Sequence, residues 1–208
     1  MQLNNRHFEK LRKAIFNELL QANLHYEIFW ELHAAHKDIA NVRNVYLSFF
    51  VATMRAHQNL FCIRVHNAIK YDTRTGNFPR LMNYVKSNAG LSDVYPLEKI
   101  EEMFNNILSE HEGIIDKIKI VRNQYIAHNQ LTKRDLISPP TYTYEEGRKL
   151  LKDLRKMLNS LSSPYDGNVF SFDVIPKLNT GQMLVDLNEY HQSKLQRLKT
   201  YRDQSRVT

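Results

Sequence analysis

The 208 residues contain one cysteine, one tryptophan, six glycines and six prolines. A lone cysteine, Cys62, cannot form an intrachain disulfide, which excludes a disulfide scaffold and favours a reducing compartment. No Cys/His cluster has zinc-finger spacing. Glycine and proline are both absent from Met1 through Thr75, so nothing there forces a break in a long element. Apolar runs are short as well: the stretch from Val45 to Met54 ends well before the roughly 20 residues a membrane helix needs. The first residues meet charge at once and lead into no apolar segment, so no secretory leader is expected and a cytoplasmic location is. Acidic residues are outnumbered, 22 against 29 basic, for a formal charge of +7. That balance permits a nucleic-acid partner without pointing to any residue. With 42% apolar and 25% charged residues, the chain is neither disordered nor low-complexity and has enough apolar surface for a core.

What is abundant is helical periodicity. Phe8, Leu11, Ile15, Leu19, Ala22, Tyr26, Phe29 and His33 step by three or four, the stripe of a long amphipathic helix. A polar passage from His36 to Asn44 turns the chain. A second helix is expected from about Val45 to Lys70, with Leu47, Phe50, Val51, Met54, Phe61, Val65, Ala68 and Ile69 facing inward. Tyr71 to Pro79 reads as a loop, Arg80 to Lys86 as a short helix, and Ser87 to Tyr95 as a second loop. Pro96 suits a helix start. Ile100, Phe104, Ile107 and Leu108 form the next stripe, Ile114, Ile118, Val121 and Tyr125 another, with a kink expected at Gly113. Thr143-x-x-Glu146 has the form of a capping box ahead of Leu150, Leu151, Leu154, Leu158 and Leu161. Ser162-Ser163-Pro164 is expected to stop that helix. After a passage with strand-like residues, Val169 to Ile175, a last helix is expected from Gly181 to Lys199. The pattern predicts an all-α bundle of long antiparallel helices, with residues 1–162 as the helical domain and 163–208 as an extension ending in a basic helix.

One stretch carries chemistry. Advancing about 100° per residue from Ile114, Ile115, Ile118, Val121, Tyr125 and Ile126 share one arc. Arg122 falls inside it and His128 on its margin. A guanidinium with five donors is costly to bury unless paired, so Arg122 wants a carboxylate, a carbonyl row or a phosphate. An Arg-x(4–6)-His spacing alone is expected about twice by chance in a chain of this composition. The fuller string is Lys119-Ile-Val-Arg122-Asn123-Gln-Tyr-Ile-Ala-His128-Asn129, near the end of a long amphipathic helix. It resembles the hallmark of the HEPN superfamily. The order of elements, with an imperfectly matched passage from Arg64 to Asp72, is similar to the AbiU-type branch named for abortive-infection proteins. The resemblance covers about the first 160 residues.

The resemblance implies a ribonuclease that needs no metal and no cofactor, often a toxin or antiviral effector. RNA carries its own nucleophile, the 2′-hydroxyl. A histidine such as His128 can take or supply the proton, and an arginine such as Arg122 can brace the phosphoryl oxygens. Asn123 would orient either group, with Tyr125 and Asn129 as further support. Tyr125 is read first as a core residue. Lys119, Lys133, Arg134 and Arg64 are candidates for contact with flanking phosphates. On an ideal helix Arg122 and His128 are separated by about 9 Å of rise and about 120° of rotation, a poor pairing within one copy. A symmetric homodimer with a composite cleft is therefore expected, alongside RNA as substrate, a possible cognate antitoxin, and no membrane.

Other readings stand beside this one. The fold would also suit a non-catalytic HEPN module that binds nucleotide, RNA or a protein partner, or a helical adaptor with Arg122 paired in the core. Gln130 stands where a related branch carries a modifiable tyrosine, which argues against that regulation. His33-Ala-Ala-His36 with Glu31 has the spacing of a helical metal pair but no third ligand, so an exposed helix face is the stronger reading. Arg55, His57 and His66 share the second helix and either neighbour the cleft or are simply solvated. Lys194, Arg197, Lys199, Arg202 and Arg206 form a basic tail that would attract RNA.

Overall fold

A computed structural model describes residues 5–34, 40–92, 95–123, 142–167, 169–172 and 180–204. Among these, helices follow one another without a strand: α1 Arg6–His33, α2 Ala40–Val45, α3 Leu47–Ile69, α4 Phe78–Lys86, α5 Ala89–Ser92, α6 Leu97–Glu110, α7 Glu112–Ile120, α8 Tyr144–Asp166 and α9 Thr180–Gln204. No helix among the described residues is long and apolar enough to cross a membrane. The chain forms two compact units, each taking segments from both sides of Ser162. One comprises Met1–Tyr26 and Gln58–Ile175, the other Glu27–His57 and Pro176–Thr208.

The first unit is built on the α1 stripe. Phe8, Leu11, Ile15, Leu19, Ala22 and Tyr26 are all buried. They share its core with Phe61, Val65 and Ala68 of α3, Ile114 and Ile118 of α7, and the leucines of α8. At about 25 cal/mol per Å² of apolar surface, such burial is the dominant stabilising contribution. Gly147 of α8 lies against the Tyr26 ring, where an added Cβ would stand 2.4 Å from a ring carbon. That close approach lets the Tyr26 hydroxyl donate to the Tyr144 carbonyl.

Helix ends follow side-chain chemistry more than the expected boundaries. Asn77 accepts from the Arg80 amide at 2.9 Å and starts α4 at Phe78, two residues before the expected start, because Pro79 is welcome in a first turn. The Thr143/Glu146 capping box is present in full. Pro164 does not stop α8, which runs on to Asp166 and is closed by Gly167 at φ 72°. That last turn is held from outside: Asp166 pairs with Arg12, and the Tyr165 hydroxyl accepts from the Asn5 amide. The break between α6 and α7 falls at His111, where Gly113 was the expected kink. The buried His111 ring leaves the helix axis to meet Asp153 of α8 at 3.0 Å.

Among the described residues of this unit, the one buried arginine is Arg12. Its guanidinium donates to both carboxylate oxygens of Asp166, at 3.0 and 2.5 Å, and to the Ser162 carbonyl at 3.3 Å. It also lies over the Tyr165 ring, 4.9 Å from the centroid. Bidentate pairing with aromatic faces around it is what makes burial of this cation tolerable.

The second unit has a smaller core. Leu32, Val42, Phe50 and Leu184 are buried, with Ile28, Met54 and Leu187 packed against them. Leu47, expected to face inward, is exposed together with Val45, Tyr46 and Phe49. His33 is exposed and stacks on Phe29, while His36 lies outside the described residues. In the first unit, Val169 to Phe172 form no strand; Phe170 stacks on Phe16 of the same unit.

Candidate functional site

The site is assembled at the end of α7. Along this helix Ile114, Ile118 and Val121 face the core, and Lys117 pairs with Glu146 of α8 at 3.3 Å. The helical ladder then widens into a π turn over residues 121–123, a distortion common at functional sites. Arg122, expected inside the apolar arc, is half-buried. Its guanidinium donates to Asn123 Oδ1 at 3.0 Å, so the neighbouring amide holds it at the surface.

Beside this pair lies a cavity of about 520 Å³, lined by His66, Ile69 and Lys70 of α3, Leu108 and Ser109 of α6, and Glu112, Ile115, Lys119 and Asn123 of the α7 segment. Lys119 is also paired with Asp116 at 2.8 Å. His66 is buried and lines the cavity. Burial, with the charges of Arg122, Lys70 and Lys119 added to it, pushes the His66 imidazole down to about 4. The ring is thus neutral at physiological pH and faces a cationic surrounding that would favour an anion.

Arg64 does not line this cavity. It donates to Glu18 of α1 at 3.3 Å and ties α3 to α1. Tyr125, His128, Asn129, Gln130, Lys133 and Arg134 lie outside the described residues. Cys62 is buried, and burial pushes its thiol up to about 12, which leaves no thiolate for nucleophilic work. His57 of α3 is also held below its ordinary value by burial.

A second cluster escaped the reading of the sequence. Glu110, His111 and Asp153 bring their ligating atoms within 4.8 Å of one another. Lys149 pairs with Glu110 at 2.5 Å and Lys156 with Asp153 at 3.3 Å. Burial would push the Asp153 carboxyl up, but the His111 hydrogen bond and Lys156 outweigh it and hold the carboxyl below its usual range. The two lysines already supply the cations that the carboxylates need, so this group serves as an ion-pair network joining α6 and α8.

Residues 6–182 match the family model HEPN_AbiU2, described as AbiU2. No curated protein and no solved structure matches the chain significantly.

Proposed function

We propose that this chain, which belongs to the AbiU2 family of HEPN domains and has their all-α bundle, is an endoribonuclease acting in a toxin or phage-defence setting. In the proposed reaction the RNA 2′-hydroxyl attacks the adjacent phosphorus. The bond to the 5′-oxygen breaks, leaving a 2′,3′-cyclic phosphate and a 5′-hydroxyl. Arg122 braces the phosphoryl oxygens as charge builds on them. His128 moves the proton, from the attacking hydroxyl or to the leaving oxygen. Asn123 holds the Arg122 guanidinium at the surface, and the chemistry calls for no metal ion. Two copies of the chain combine their sites in one cleft, and a cognate antitoxin restrains them. The observation that carries this reading is the Arg122–Asn123 pair at a π turn, open to solvent beside a cationic cavity.

The test incubates labelled RNA and EDTA with the wild type and with His128→Ala and Arg122→Ala. Cleavage is expected to survive the chelator, to leave a cyclic phosphate end, and to fall by about 100-fold or more in each variant. Binding without cleavage would instead establish a non-catalytic module. Full activity in a species that sediments as a monomer would remove the composite cleft. Growth arrest on expression, relieved by Arg122→Ala, is the expected sign of a toxin.

A further inference from the structure

One face of α9 carries Leu184, Leu187, His191, Leu195 and Leu198, spaced by three or four residues, the step of a helix–helix seam. At its near end the seam is covered. Leu184 is 2% exposed in the core of the second unit, and Leu187 packs against that core. At its far end the same seam lies open, with Leu195 41% and Leu198 56% exposed. Every described side chain from Gln192 to Gln204 is exposed. A helix bare on all sides draws little stability from packing within its own chain. The family match ends at residue 182, so this open half lies beyond it.

The margins of the seam set the charge of what would cover it. Between Tyr190 and Arg202 the sequence has four cations, Lys194, Arg197, Lys199 and Arg202, and no carboxylate. At about 100° per residue, Lys194 and Arg197 fall on one side of the leucines, Lys199 on the other, and Glu189 opposite them. A second copy of α9 would bring the same cations and no carboxylate to answer them. RNA would answer the cations with phosphates but leave the leucines in water. A helix with an apolar seam and Asp or Glu at its margins answers both. We propose that the far half of α9, from His191 to Tyr201, docks such an amphipathic, acidic helix of a different protein. Leu195, Leu198 and Tyr201 meet its apolar seam, and Lys194 and Arg197 its carboxylates. The docking is independent of the cleavage proposed for Arg122 and His128.

The experiment uses the full chain carrying His128→Ala, so that an RNA probe stays intact. The probe is a synthetic helix of about three heptads with Leu at the seam positions and Glu at the flanking ones. A second peptide has Lys in place of Glu. By calorimetry the acidic peptide is expected to bind at least about tenfold more tightly than the basic one. Leu195→Ala combined with Leu198→Ala alters only exposed side chains and should weaken the acidic peptide about tenfold or more. Arg197→Glu should turn the preference toward the basic peptide. Failure of the acidic peptide to bind, equal binding of the two peptides, or binding untouched by the leucine pair overturns the inference. An oligoribonucleotide whose binding is lost in Arg197→Glu but kept in the leucine variant would make α9 a nucleic-acid surface and overturn it as well. So would a dimer, seen by sedimentation, that the leucine variant abolishes, since a second copy would then be the occupant.

Discussion

Arg12 and Arg122 are the same side chain put to opposite uses. Arg12 is only 4% exposed and is gripped by Asp166, by the Ser162 carbonyl and by aromatic rings. Arg122 is half-buried, held by the amide of its neighbour, and stands beside a cavity. A guanidinium whose two terminal nitrogens are both engaged by the fold stabilises the fold. A guanidinium with donors left over, at a distorted helix end, is available to a ligand.

The sharpest way to break this comparison is to remove each arginine's partner. Asp166→Ala strands the buried Arg12 cation, and a loss of about 3–5 kcal/mol in denaturant-unfolding stability is expected. A loss below about 1 kcal/mol would mean that the ring faces and the Ser162 carbonyl suffice. A middle-sized effect belongs to His66. Its folded-state value, about 4, lies below its ordinary 6.5, so the unfolded chain takes up the proton first as pH falls. The stabilisation from keeping the ring neutral is full above about pH 6.5 and drains away toward pH 4. After allowance for solvent in the cavity, about 1–2 kcal/mol should be lost over that window. His66→Gln should flatten the slope, which pH-dependent thermal melts would show. The smallest effect is expected from Asn123→Ala, which leaves Arg122 in contact with water and should change stability by less than about 0.5 kcal/mol. A larger change would assign Arg122 to the fold after all.

Much of this was readable in advance because it is local. The α1 stripe, the Thr143/Glu146 box and the string around Arg122 are patterns among residues close together in the sequence. What escaped depends on neighbours distant in sequence. Gly113 invited a kink, yet an added Cβ there would meet nothing within 4 Å, and the break went to His111 because Asp153 waits across the bundle. Pro164 signalled a stop, but Arg12 and Asn5, some 150 residues earlier, hold the turn beyond it. Arg122 falls inside the apolar arc of a helical wheel, yet it is half-buried and reaches the Asn123 amide. A wheel shows direction and not how far a long side chain extends. His66 reads from the sequence as one of several polar residues on the second helix, either beside the cleft or simply solvated. Its seclusion, and the cavity it faces, arise from three helices meeting.

The joint at His111 can also be regarded as a fulcrum. It ends α6 and begins α7 without capping either through its side chain, and its ring is moored to Asp153. From there to Arg122 the helix climbs about 16 Å at about 1.5 Å per residue. On a lever arm of that length, a swing of about 4° displaces the far end by about 1 Å, a shift that can cost a catalyst about 100-fold. The direction of α7 is thus set in part at a mooring outside the lining of the cavity. Sequence change around Asp153 would retune the site from the opposite end of the helix that carries it.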